Sequence, residues 1–207
     1  MVIKILVEGL DYSGKSTLCR TLKEELSNKG KRVLFNKGDI IKTNLTAHTK
    51  KELYADDSDL IKLNSLLTLG PFFDALNENN QTGIDYLIQE SYIDRTIGYN
   101  KANNIPFFAD MLESVYHKLV QFDISFFLEA DIEERKARFK KRVQERNKYD
   151  SLIFEDPTKF LEINRLVKNS FVKRKNSYVL DTTSISTNEV YEKVISKVEE
   201  IAKWQKK

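Results

Sequence analysis

Residues 9–16 read GLDYSGKS and match the full pattern GxxxxGK[ST] of a phosphate-binding loop. Gly9 and Gly14 permit backbone angles that a Cβ atom would forbid, so the loop can turn its N–H groups toward an anion. Lys15 would supply positive charge for the β- and γ-phosphates, and Ser16 a hydroxyl ligand for Mg²⁺. The spacing therefore predicts a binding site for a nucleoside triphosphate.

Two carboxylates lie where they could take part in phosphoryl transfer. Glu90 ends a predicted strand, where it could hold a metal ion through water, accept a proton from an acceptor hydroxyl, or pair with a basic neighbour. Asp11 lies inside the loop, where it could face the acceptor or stabilise the turn. We expect Ser16 and Glu90 to form the metal side of the site.

An arginine-rich segment late in the chain contains Arg135, Arg138, Arg142 and Arg146. The first three share one face if the segment is helical. Phosphoryl transfer depends mainly on positioning and charge neutralisation, and arginine supplies both. A solvated basic helix is the alternative interpretation. In a small chain with a phosphate-binding loop, this segment favours a kinase over a molecular switch or motor.

The elements that must position these residues are predicted by short apolar runs. The run at residues 2–7 predicts a buried first strand, and four more strands are predicted at residues 33–35, 84–90, 123–130 and 177–181. Because helical patterns separate the strands, right-handed βαβ crossovers should give a parallel sheet. We therefore expect a three-layer α/β fold with a five-stranded parallel sheet flanked by helices, in a single domain over residues 1–207.

Several helix boundaries are also predicted. A helical pattern covers residues 45–69, should break at Gly70–Pro71 and should resume at residues 72–76, and another covers residues 107–120. Asp156–Pro157 predicts a helix start, with the helix running to about residue 175. Ser186 and Glu189 have the spacing of a capping box at the start of the last helix.

The composition excludes several other classes of protein. The 34 basic and 31 acidic residues give a net charge of +3, which does not favour a partner that is a nucleic-acid polymer. The single cysteine allows no internal disulfide, and the two histidines have no metal-ligand spacing. No segment has the length and apolarity of a membrane span or a secretory signal. We expect a soluble cytoplasmic protein.

Four stretches together resemble the thymidylate kinase family. EGLDYSGKST at residues 8–17 is similar to the family's EGxDGxGKST opening, and ESYIDRTIGY at residues 90–99 is similar to its DRYIDSTxAY. Residues 123–142 resemble the strand and helix that lead into the family's lid, and residues 179–190 its adenine-side loop. The resemblance runs in order through nearly the whole chain.

The resemblance implies a P-loop kinase fold with an arginine-rich lid at about residues 140–157. It implies a homodimer that uses ATP and Mg²⁺ to phosphorylate a nucleoside monophosphate, usually dTMP. Tyr12 occupies a loop position that is basic in some members of the family, so the catalytic arginine is expected in the lid. By position, the catalytic residues would be Lys15, Asp11, Glu90, Arg142 and Arg146. The cofactor would be bound by Gly9, Ser13, Gly14, Lys15, Ser16, Thr17, Arg138 and Thr182, and the acceptor by Asp11, Asp39, Phe72, Ser91, Arg95, Tyr99 and Asn100.

The acceptor half departs from the family pattern. Ser91 stands where the family has the arginine that grips the acceptor phosphate, and Arg95 appears four residues on, one helical turn away. The arginine expected near the thymine, at residues 69–73, is absent. The resemblance makes dTMP the leading acceptor, and these departures leave a deoxynucleoside or a modified nucleotide as the alternative. An ATP-binding protein whose kinase activity has decayed is the third hypothesis.

Overall fold

The five strands of the computed structural model form one all-parallel sheet, and the structure describes residues 2–55, 59–77, 83–141 and 151–204. The strands lie in the order β2-β3-β1-β4-β5. Their bounds are β1 Ile3–Glu8, β2 Val33–Lys37, β3 Tyr86–Glu90, β4 Ile124–Glu129 and β5 Ser177–Asp181. Because every strand runs the same way, all of them end at one edge of the sheet, and the residues that follow them meet there.

Helices cover both faces of the sheet. Their bounds are α1 Lys15–Asn28, α2 Asn44–Tyr54, α3 Leu60–Leu76, α4 Ile93–Ala102, α5 Pro106–Ser114, α6 Ile132–Lys141, α7 Leu152–Glu155, α8 Pro157–Phe171 and α9 Thr187–Trp204. One apolar cluster lies between the sheet and the helices α1 and α9. A second lies between the sheet and α4, α5 and α8. The predicted three-layer α/β fold with a five-stranded parallel sheet is confirmed.

The predicted helix break at Gly70–Pro71 is wrong, because α3 runs through both residues. Both are buried, and the next turn is fixed by Asp74, whose carboxylate accepts hydrogen bonds from the backbone N–H groups of Ile40 and Ile41. The fixed φ of proline is compatible with a helix. The free energy gained by burying Gly70 and Pro71 can therefore exceed the cost of the helical hydrogen bond that proline cannot donate. The break lies earlier instead, where α2 ends at Tyr54 and α3 begins after Asp59.

Two other boundaries move inward, and two predicted caps are confirmed. α5 ends at Ser114, before a short 3-10 turn, and α8 ends at Phe171. Asp156 caps α8 by accepting from the N–H of Lys159. The capping box of α9 is present, with bonds in both directions between Ser186 and Glu189. Among the helices that the structure describes, none is apolar over a length that would cross a bilayer.

Candidate active site

The phosphate-binding loop joins the end of β1 to the start of α1. Gly9 and Gly14 have φ values of 135° and 100°, in the region that favours glycine. A Cβ atom at Gly9 would collide with the carbonyl oxygen of Leu128. The two glycines therefore have the geometric role that the motif predicts, and Gly14 places the first turn of α1 against the loop.

Lys15 folds back over the loop. Its Nζ donates a 2.8 Å hydrogen bond to the carbonyl oxygen of Leu10, and the residue is buried. Burial lowers the pKa of the Lys15 ammonium to about 8, although Asp11, Glu90 and Glu8 oppose the shift. The loop therefore holds a buried cation ready to meet an anion.

Ser16 and Glu90 meet at the predicted metal side. Glu90 Oε1 accepts a 2.7 Å hydrogen bond from Ser16 Oγ and lies 3.0 Å from Lys37 Nζ. Burial raises the pKa of the Glu90 carboxyl, but Lys15 and Lys37 outweigh it, so the pKa is lowered and the group is ionised. Glu90 Oε2 is buried and has no hydrogen-bond partner among the described residues. A hydroxyl and a carboxylate with a free buried oxygen are donors that suit Mg²⁺.

Asp11 and Arg95 form a bidentate ion pair across the cleft between the loop and α4. The Arg95 Nη atoms lie 3.2 and 2.7 Å from the two Asp11 carboxylate oxygens. Burial opposes ionisation of Asp11, but Arg95 and Lys15 outweigh it and lower its pKa to about 2. The guanidinium of Arg95 also lies 5.3 Å from the ring centre of Tyr99. Three predicted acceptor-side residues are thus brought together.

Glu8 links the loop to the start of α4. This buried carboxylate accepts hydrogen bonds from the N–H of Gly9, the hydroxyl of Ser91 and the N–H of Tyr92. Burial and the nearby Asp94 raise the pKa of Glu8. Ser91 has a φ of 61°, which is uncommon for a residue with a side chain. The bond from its hydroxyl to Glu8 accompanies this unusual backbone.

Arginines of α6 hold the loop from the other side. Arg138 donates to the carbonyl oxygens of Tyr12 and Thr182 and to Thr182 Oγ1, which in turn donates to the Ser13 carbonyl. Arg135 is buried and donates 2.8 Å to the Asp11 carbonyl; burial lowers the pKa of its guanidinium to about 10. Arg138, Thr182 and Ser13, all predicted on the cofactor side, lie together.

The remaining predicted residues are spread around the site. Thr17 is exposed in the first turn of α1, Phe72 packs at the edge of the apolar cluster under α4, and Asn100 is buried in α4. Asp39 follows β2 and lies against Gly70 of α3. Arg142 and Arg146, with the middle half of the predicted lid at residues 140–157, lie outside the described residues.

Sequence reasoning did not assign a role to Glu8 or Lys37, and it placed Arg135 among the arginines that could assist phosphoryl transfer rather than against the loop backbone. Glu8 and Lys37 end β1 and β2, the parallel strands on either side of β3, so their position beside the loop and Glu90 follows from the strand order. A charged residue at the end of an apolar strand was the available signal. The burial of Arg135 could not be predicted, because it depends on how α6 packs against the loop.

The loop, the all-parallel strand order and the flanking helices define an α/β fold of the P-loop kinase type. A family model for adenylylsulphate kinase matches residues 1–60. No curated protein matches the sequence.

Solved structures resemble the chain over nearly its whole length. Thymidylate kinase from Candida albicans aligns with a TM-score of 0.74 and 19% identity, covering 96% of this chain and 91% of that one. Thymidylate kinase from Ehrlichia chaffeensis gives 0.68 and 17%, covering 94% and 97%. Deoxyadenosine kinase from M. mycoides gives 0.66 and 17%, covering 96% and 100%. At this identity the similarity is one of fold, and at that level the resemblance to thymidylate kinases is confirmed.

Proposed function

We propose that the protein is a kinase that transfers the γ-phosphoryl group of ATP to a nucleoside or a nucleoside monophosphate. The observation that carries this proposal is the hydrogen bond between Ser16 and Glu90 at the start of α1, within the electrostatic influence of the buried Lys15. The deoxyadenosine kinase and thymidylate kinases that share the fold act on such acceptors by their names. The intact loop and the ionised Glu90 argue against a decayed kinase.

Each group at the site has a task in this reaction. The N–H groups of the loop and the N-terminus of α1 would hold the phosphates, and Lys15 would neutralise their charge. Ser16 and Glu90 would hold Mg²⁺, which supplies charge neutralisation on the β- and γ-phosphates when it is bound. Asp11 and Arg95 would orient the acceptor, while Arg138 and Thr182 would form the side toward the base of ATP. Arg142 and Arg146 stay the proposed catalytic arginines of the lid.

The acceptor that the sequence favours is dTMP. A nucleoside is the second candidate, and it is favoured by a specific observation: Arg95, the predicted acceptor-side cation, is already paired. Both of its Nη atoms contact the carboxylate oxygens of Asp11. A monophosphate that binds Arg95 would have to displace Asp11, whereas an uncharged nucleoside would not.

The first experiment is ATP consumption with Mg²⁺ against a panel of acceptors, with the products identified by mass. The panel contains dTMP, the other deoxynucleoside monophosphates and the corresponding nucleosides. Phosphorylation of a monophosphate supports the first acceptor class, and phosphorylation of a nucleoside supports the second. ATP binding without turnover on any acceptor would contradict the proposed function and favour the decayed kinase.

Four further features stay predictions: the single domain over residues 1–207, the lid, a homodimer and a cytoplasmic location. Light scattering after size-exclusion chromatography measures the oligomeric state directly. A mass of twice the 24.1 kDa chain would support the homodimer.

A further inference from the structure

Tyr12 has a backbone conformation that a residue with a side chain rarely adopts. Its φ is 63°, in the left-handed region, although it is not one of the glycines of the phosphate-binding loop. In this region the Cβ atom lies too close to the following carbonyl oxygen, which costs free energy. Such a conformation persists only where the surrounding structure holds it. The groups that contact Tyr12 and its neighbours in the loop therefore have to supply this restraint.

The peptide groups on both sides of the Tyr12 Cα atom are held by arginines of α6. Arg135 Nη1 donates a 2.8 Å hydrogen bond to the carbonyl oxygen of Asp11, and Arg138 Nη1 donates a 3.1 Å bond to the carbonyl oxygen of Tyr12. Because φ and ψ are the rotations between these two planar peptide groups, fixing both oxygens restricts both angles. The two arginines therefore act on the conformation of Tyr12 through the main chain.

The side chain of Tyr12 contacts the same helix. Its ring meets the ring of Phe139 edge-on, with 5.2 Å between the ring centres. Phe139 follows Arg138 directly and lies one helical turn after Arg135, so the three side chains share one face of α6. This face of α6 thus contacts the side chain of Tyr12 and the main chain on either side of it.

Arg135 is itself held rigidly. Its side chain is almost fully buried, its Nε donates 2.7 Å to the carbonyl oxygen of Ala130 after β4, and its Nη2 donates 3.3 Å to Asn164 Oδ1 of α8. The guanidinium also lies 5.4 Å from the ring centre of Phe160. Because the guanidinium is planar, these contacts fix the direction in which Nη1 points toward the Asp11 carbonyl. The sheet and α8 therefore set the position of the loop through Arg135.

We infer that Arg135 is a positioning residue, which holds Tyr12 in the left-handed conformation that the loop needs in order to bind the phosphates of ATP. The Tyr12 N–H is trans to the Asp11 carbonyl, so the bond from Arg135 also sets the direction of this N–H group. Without Arg135, residue 12 would relax to a negative φ and turn the N–H away. This inference rests on the proposed function, because ATP is the ligand whose affinity reports the state of the loop.

The test uses the fact that glycine adopts a positive φ without steric cost, whereas alanine does not. Arg135→Met is made in the backgrounds Tyr12→Gly and Tyr12→Ala, which both remove the ring contact with Phe139. Calorimetry gives the Kd for ATP with Mg²⁺. We expect Arg135→Met to weaken ATP binding about fivefold more in the alanine background than in the glycine background. The stability lost in denaturant unfolding should be no larger in the alanine background, because relaxation of residue 12 offsets part of it.

Lys136→Met is the matched control, since Lys136 is the next residue of α6 and pairs with Glu133 of the same helix; it should change the Kd less than about twofold in both backgrounds. Arg135→Lys keeps the charge and provides a second comparison if Arg135→Met does not fold. Equal losses of ATP affinity in the two backgrounds, or failure of both Arg135 variants to fold in either, would overturn the inference and leave Arg135 with a role in the fold alone. Absence of ATP binding in the unchanged protein would overturn the proposed function, and the inference with it.

Discussion

Lys15 carries its charge into a buried position before any nucleotide is present. Among the residues that the structure describes, its ammonium donates a hydrogen bond only to the Leu10 carbonyl, and burial lowers its pKa to about 8. A residue placed for an anionic ligand therefore weakens the empty protein. Lys15 is therefore expected to favour nucleotide binding while lowering the free energy of unfolding of the nucleotide-free protein.

We expect Lys15→Met to abolish turnover and yet stabilise the nucleotide-free protein at pH 7, by on the order of 1–3 kcal/mol. The variant is compared with Lys23→Met, an exposed position on the same helix, by denaturant unfolding. Because the folded protein releases the Lys15 proton near pH 8 and the unfolded chain near 10.5, wild-type stability should rise with pH between these values. A variant that unfolds more easily than wild type at pH 7 would contradict this account.

Arg95 should serve the acceptor more than ATP. Arg95→Ala should raise the KM for the acceptor about 10- to 150-fold, because a charge-assisted contact is worth roughly 1.5–3 kcal/mol, and should change the KM for ATP far less. Arg32→Ala, in an exposed ion pair at the opposite edge of the sheet, is the control. An unchanged acceptor KM would assign Arg95 to the structure of the loop instead.

At the scale of elements, α4 is held very close to α8. A Cβ atom at Gly98 would collide with the side chain and backbone of Val167. We therefore expect Gly98→Ala to lower the free energy of unfolding by about 1–3 kcal/mol through overpacking. Adding Val167→Ala should return part of this loss if the collision is the cause, and thermal melts of the three variants measure it. Full stability of Gly98→Ala alone would show that the helices separate without cost.

The segment after β2 is tied to α3 by Asp74, and this tie should depend on pH. Burial raises the pKa of the Asp74 carboxyl to about 6, although the N–H groups of Ile40 and Ile41 oppose the shift. The folded protein thus binds the proton at higher pH than the unfolded chain, whose value is about 4. Stability relative to Asp74→Asn should therefore increase as the pH falls from 6 to 4, which unfolding at several pH values measures. A difference that does not vary with pH would exclude this titration.

The strands and the loop could be predicted because local signals specify them. Parallel strands are short apolar runs, and the GxxxxGK[ST] spacing has one geometry. The path of α3 through Gly70–Pro71 could not be predicted, since it depends on contacts with a segment thirty residues away. The ion pair between Arg95 and Asp11 could not be predicted either, because the sequence does not show how close these two residues lie in the folded protein.

At the scale of the whole molecule, a buried ion pair joins α4 to the chain after α8. Arg174 Nη2 lies 2.6 Å from Asp94 Oδ2, and both side chains are almost fully buried. Three aromatic rings surround the guanidinium, those of Tyr92, Tyr116 and Phe122. This pair connects the layer that carries Arg95 to the second half of the chain.

Removing one partner should be costly. We expect Arg174→Met to lower the free energy of unfolding by about 3–5 kcal/mol, because it leaves Asp94 buried without its counter-ion. Arg32→Met, in the exposed pair with Asp85, should cost less than about 1 kcal/mol. Denaturant unfolding measures both, and the double variant Arg174→Met/Asp94→Asn should regain stability. A loss no larger than that of Arg32→Met would show that the buried pair contributes little.

The three hydrogen bonds that Glu8 accepts have an evolutionary consequence. The Glu8 carboxylate accepts hydrogen bonds from both the phosphate-binding loop and residues 91 and 92. A substitution at Ser91, on the acceptor side, therefore also changes the contacts that hold the loop. Replacing Ser91 by arginine removes one of these bonds and adds a second cation beside a buried acid. Substitutions at the two positions should therefore show epistasis, and a lineage that changes its acceptor would be expected to change residues 8 and 91 together.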